Sequence, residues 1–170
     1  MTHDYQIDPV LGAALAYWRG KRGGRSMPAR RDIDPTEMPR LLPHLQLIEP
    51  VAGRFRFRLI GTALAEAFGR DYTGRFVDEL FDAARAEPIC EVYRAVLDRR
   101  QPMFLRNRYF TAKNIDLIAN RIYLPLSEND SAVNLIFSAV TFEFGDLPVA
   151  GAWGSATLAA DQVVETVDAA

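Results

Sequence analysis

Residues 54–59 read Arg-Phe-Arg-Phe-Arg-Leu. Strict alternation of arginine with large apolar residues has period two, the period of a strand and not of a helix. This segment commits the chain to a sheet with one dry face, taking Phe55, Phe57 and Leu59, and one wetter face, taking Arg54, Arg56 and Arg58. Just upstream, Leu45, Leu47 and Glu49 alternate with Gln46 and Ile48, a second strand, and Pro50-Val51-Ala52-Gly53 connects the two as a hairpin. A dry sheet face needs a cover, so the remaining chain has to supply one.

Helical signals supply it. Asp8-Pro9 has the form of a helix start, with a capping carboxylate followed by a proline suited to the first turn. Leu11, Ala14, Leu15 and Trp18 then fall on one helical face before the glycines of residues 19–25 end the helix. Asp34-Pro35-Thr36-Glu37 opens a helical turn that Pro39 and Pro43 keep short. After Gly61, with Thr62 as cap, short helices are expected over 63–68 and 77–81. A longer one follows over 84–99, with Ile89, Val92, Tyr93 and Val96 as its apolar stripe and Pro88 in its first turn. Three further strands are expected over 103–111, 115–126 and 132–144, separated by Asn114 and by Ser127-Glu128-Asn129-Asp130. Residues 1–8 and 145–170 read as tails around a single domain spanning 9–144, with a short terminal helix near 163–167. The fold class is α+β: a five-stranded antiparallel sheet, helices on one face, and an N-terminal helix positioned to cover the other.

Composition narrows the function. A net charge of −2 over 170 residues gives no electrostatic basis for general nucleic-acid or membrane-surface binding. Residues 1–60 hold ten Lys/Arg against six acids, whereas residues 145–170 hold four acids and no base. That asymmetry suits packing of the tail near the basic half, or the steering of a partner. A single cysteine, Cys90, allows no internal disulfide and no cysteine-built metal site. With no secretory leader or apolar span in view, a cytoplasmic location is expected.

Other segments resemble a known family. They are Tyr17-Trp18, Arg22, Pro28-Ala29-Arg30 with Asp32, Asp34-Pro35, Leu41-Leu42-Pro43, residues 57–62, Gly69-Arg70-Asp71 with Thr73-Gly74, and Leu124-Pro125-Leu126-Ser127. Their order and spacing over residues 9–140 resemble a family of PAS domains common in alphaproteobacteria and usually found as small stand-alone proteins. The resemblance implies a PAS fold and a regulatory or sensory role, often with an unidentified ligand. It brings no established set of functional residues. The reading that follows is a cytoplasmic sensor or adaptor, a homodimer being one form of it, that binds a small molecule or a signalling protein and acts in trans. The alternatives are a ligand-independent interaction module with a filled core and, behind it, an enzyme of unrecognised type.

The candidate residues follow from that expectation and from chemistry. Gly69-Arg70-Asp71-Tyr72 is similar to the turn that enters the flavin site of blue-light PAS relatives, but Tyr72 stands where those photosensors need a cysteine, and Cys90 lies on another helix. A photoactive flavin is therefore not expected, and a tight turn explains the segment. Haem is not expected either, because His3 and His44 lie on neither the long helix nor the strand that offers a ligand in this fold. Metal-ligand spacing is missing, as are phosphate loops and nucleophile elbows, so no catalytic residue is assigned. The pocket candidates are Phe57, Leu59, Phe68, Tyr72, Phe76, Tyr93, Tyr123 and Phe137, each of which would serve a dry core equally well. Arg58, Arg106 and Arg108 are candidate anion contacts, against the simpler reading of arginines paired with acids on a wet sheet face. Leu11, Leu15, Tyr17 and Trp18 are candidate interface residues for self-association, unless their helix folds back onto its own sheet.

Overall fold

The computed structural model describes residues 8–110, 116–144, 157–158 and 163–166. Helix α1 (Pro9–Arg22) begins where Asp8 caps it, its Oδ1 accepting from Val10 N at 2.8 Å. The segment after it holds three single turns of 3-10 helix, and Met27, Ile33 and Met38 from this stretch are buried. Strands β1 (Leu45–Val51) and β2 (Arg54–Ile60) form the expected hairpin. Helices α2 (Thr62–Phe68), α3 (Val77–Leu80) and α4 (Ala83–Arg99) follow. Strands β3 (Met103–Phe110), β4 (Asp116–Leu126) and β5 (Leu135–Phe144) complete an antiparallel sheet in the order β2-β1-β5-β4-β3.

Local details depart from the sequence reading for identifiable reasons. Gly61, not Thr62, occupies the cap position of α2. Helix α4 starts earlier than expected because Asp82 accepts from Arg85 N at 3.1 Å, which leaves Pro88 inside the helix and not in its first turn. Beyond the five strands, β6 (Thr157–Leu158) and β7 (Val163–Thr166) pair with the outer edge of β3. The short terminal helix expected near 163–167 is thus a strand over 163–166, where the ladder of β3 offers backbone partners that four residues of helix could not supply.

The largest departure lies in β2. Between Leu47↔Leu59 and Ile48↔Phe57 the register shifts, so Arg58 is an extra residue and the strand changes phase there. Phe55 and Phe57 keep to the helix-covered face, but Leu59 falls opposite Leu47 on the other face and Ile60 takes its expected place. The outer edge of β2 is closed by residues 74–76: Phe57 N donates to Arg75 O, Gly74 N donates to Phe57 O, and Phe76 bridges Arg56.

Helices α2–α4 cover one sheet face and α1 covers the other. Trp18 is fully buried and its Nε1 donates to Pro125 O at 2.8 Å; the ring of Tyr17 lies 6.5 Å from that of Phe137 on β5. Leu11 and Leu15 are buried beside them. The chain between α1 and β1 is tied down to the β4–β5 turn. Ser127 N donates to Pro28 O, Arg25 Nη2 to Ser127 O, and the Asp130 carboxylate accepts from Ser26 N, Ser26 Oγ and Met27 N.

The bonds from the Ser26 hydroxyl and amide hold the Asp130 carboxyl below its ordinary pKa. A depressed carboxyl stabilises the fold fully above its unfolded value of about 4 and ceases to do so as pH falls through the folded value. Asp130→Asn should therefore lower the thermal midpoint at pH 7, with the gap from wild type closing as the pH is taken below 4. Circular dichroism melts at both pH values read this out; an equal gap at each would show that the carboxylate charge does not matter.

Candidate functional site

Between the sheet and helices α2–α4 lies a cavity of about 370 Å³. Its floor is the sheet face carrying Gln46, Phe57, Ile60, Leu105, Asn107, Leu117, Arg121, Tyr123 and Phe142; its roof is Phe68, Tyr72, Leu80, Phe81, Arg85, Pro88, Ile89, Val92 and Tyr93. The bulge at Arg58 is what puts Ile60 into this wall. Alternation along β3 and β4 does the rest, since Leu105 pairs Arg121 and Met103 pairs Tyr123 on one face.

Aromatic rings dominate the lining. Phe68 and Tyr72 stack at 5.8 Å, Tyr72 meets Phe81 edge-on at 6.2 Å, and Phe68 meets Phe142 edge-on at 5.9 Å. On the far side Tyr93 meets Tyr123 edge-on at 5.6 Å. Tyr72 is presented by the Gly69–Gly74 turn, whose two glycines take φ of +80° and +84°. Within it Asp71 Oδ1 accepts from Thr73 N at 2.8 Å and from Thr73 Oγ1 at 2.7 Å. Those bonds hold the Asp71 carboxyl below its ordinary pKa. Thr73 Oγ1 in turn accepts from Ile60 N, which ties the turn to the end of β2. The segment is a tight turn that also aims a ring into the cavity.

Polar groups are few: Gln46, Asn107 and Arg121 are buried and Arg85 is half-buried. Arg121 is 7% exposed and Asn107 3%, and Arg121 Nη1 donates to Asn107 Oδ1 across the β3–β4 pair. Gln46 donates through Nε2 to Ser138 Oγ at 3.4 Å. From the roof, Arg85 reaches the cavity while holding Asp82 at 3.8 Å. Cys90 is half-buried on α4 outside the lining, and burial pushes its thiol pKa up, away from a nucleophilic thiolate. Among the described residues, no group of His, Cys, Asp and Glu has the arrangement of a metal site.

Of the residues singled out from sequence, Phe57, Phe68, Tyr72, Tyr93 and Tyr123 meet at this cavity. Leu59, Phe76 and Phe137 do not. Leu59 is displaced by the bulge, Phe137 faces α1, and Phe76 lies under Arg54, whose guanidinium sits 3.8 Å from its ring centroid. The arginine candidates do not converge. Arg58 is on β2 and Arg106 and Arg108 on β3, four strand spacings apart, or roughly 19 Å. Arg58 lies 3.5 Å from Glu49, and Arg106 lies 3.3 Å from Glu143 on the α1 side of the sheet. Arg108 shares that side. Of the interface candidates, Leu11, Leu15 and Trp18 are spent on the chain's own sheet, and the Tyr17 hydroxyl donates to Glu37 at 2.7 Å. Self-association through that stripe requires α1 to leave the sheet.

Sequence reading missed Gln46, Asn107, Arg121, Arg85 and Ile60. The signal for Arg121 was present, because it is the one charged residue between Ile118 and Leu126. A charge inside a central apolar strand needs a local reason.

Strand order, a helix cluster on one face and the hollow beneath it define the PAS class of α+β domain. The PAS domain family matches residues 8–141, most of the chain, and the chain belongs to that family. No curated protein matches it. A PAS domain is a sensory or interaction module. Among the described residues no helix is long and apolar enough to cross a membrane.

Proposed function

We propose that this chain is a PAS sensor or adaptor in bacterial signalling that takes a small organic molecule into the cavity and acts on a separate protein. The observation that carries the reading is the cavity itself: about 370 Å³, mostly apolar and aromatic, with a few buried polar groups. Small-molecule sites have this character and span roughly 300–1,000 Å³. A module that served only to bind protein would be expected to fill such a space with its own side chains. Residues 9–144 act as the sensing unit in this reading. A ligand shifts the domain between two packings of helices on sheet only to the extent that it binds one of them better.

Native mass spectrometry of the purified chain tests it. A discrete excess mass that disappears on denaturation is expected. The variant Val92→Phe with Leu105→Phe narrows the cavity from roof and floor and should lose that mass while retaining the wild-type circular dichroism spectrum. A bare wild-type chain that takes up no small apolar molecule would turn the reading to an interaction module.

A further inference from the structure

Resting on that reading, we propose that the ligand is a small organic acid: an apolar, ring-bearing body with one carboxylate, received by Arg121 and Asn107. Arg121 and Asn107 lie on adjoining strands on the cavity face, diagonal across the Leu105↔Arg121 and Asn107↔Ala119 pairs. The Asn107 carbonyl oxygen accepts from Nη1, which fixes the plane of the guanidinium within the wall. A planar, oriented fork of donors matches a carboxylate better than any neutral group. Arg85, reaching the same space from α4, is a second cation at the cavity, beside Asp82 at 3.8 Å.

The rest of the cavity defines the body of the molecule. Phe68, Tyr72 and Phe81 form a contiguous set of ring faces and edges, which favours an apolar portion with a ring of its own. The volume lies at the small end of the range for ligand sites, which points to a compact acid. A phosphate ester fits the donor set less well. Phosphate sites draw on backbone N–H groups at helix N-termini and nests. Here the arginine wall belongs to β4, which is laddered to β3 on one side and β5 on the other. Side chains are what that wall offers.

The probes are 4-phenylbutyrate and its isosteric amide, titrated calorimetrically into the full wild-type chain. The acid should bind at least about tenfold more tightly than the amide, the range expected for a charge-assisted contact. Arg121→Gln should bring the two affinities together by weakening the acid alone. Asn107→Asp places a carboxylate against the guanidinium and should also abolish the preference, which keeps the test available if Arg121→Gln does not fold. Equal binding of acid and amide by wild type overturns the acid assignment and leaves the cavity reading standing. Binding of neither probe overturns both. An acid preference that survives in both variants places the carboxylate elsewhere and overturns the role of these residues.

Discussion

Trp18→Ala is expected to reduce the unfolding free energy by about 3–5 kcal/mol, the usual cost of emptying a buried indole site. Trp18 is fully buried between α1 and the sheet, and its Nε1 is the donor to Pro125 O, a carbonyl 107 residues further along the chain. The substitution removes packing and a buried hydrogen bond together, so the two losses are not separable in the alanine variant. Trp18→Phe retains a ring but not the donor and should fall between, at about 1–2 kcal/mol. Equilibrium urea denaturation followed by circular dichroism measures both. An alanine variant as stable as wild type would mean that α1 is undocked in solution, and would return Leu11, Leu15 and Trp18 to consideration as a surface for pairing.

Gly61→Ala should be nearly as damaging, at about 3 kcal/mol or more. Gly61 has φ of −68° and ψ of 155°, a conformation open to any residue, so the reason for glycine is not its backbone angles. A Cβ placed there would lie 2.3 Å from Pro43 O and 2.4 Å from Leu42 O, both backbone atoms that cannot swing aside. Relief requires the turn before β1 to move away from the joint between β2 and α2. Ile60, one residue away, lines the cavity, so ligand uptake should fall as well. Gly20→Ala serves as the comparison: Gly20 is exposed in α1 with nothing within 4 Å of a new Cβ, and alanine there should stabilise by about 0.5–1 kcal/mol. If Gly61→Ala melts with wild type, the close approach at residues 42–43 does not exist.

The sheet was legible because period-two patterning survives wherever one face is wet. Arg54-Phe55-Arg56-Phe57 announces both the strand and its orientation. The same pattern could not reveal the bulge, since an extra residue at Arg58 leaves the alternation intact in sequence while reversing it in space. For β5 the difficulty is different. Residues 135–141 are buried on both faces because α1 covers one and the cavity helices cover the other. With no wet face there is no parity to read, and Phe137 was assigned to the wrong side. The cavity rings on α2, α4 and the Gly69–Gly74 turn were accessible from their place in the expected fold. Asn107 was not, because its type normally belongs in water, and Arg121, although it stands out as a charge in an apolar strand, could be placed only once the helices covering that sheet face were known.

The docking of α1 across 107 residues has a consequence for how the chain is made. A ribosome adding about 5–20 residues per second finishes Trp18 roughly 5–20 s before it reaches Pro125, and β5 comes later still. Throughout that interval the apolar stripe of the first helix has no sheet to lie on, whereas the β1–β2 hairpin can close at once from neighbouring residues. Helix α1 therefore emerges well before the strands it lies on and docks only after they are made. During that window the stripe of Leu11, Leu15 and Trp18 is uncovered apolar surface of the kind that chaperones shield.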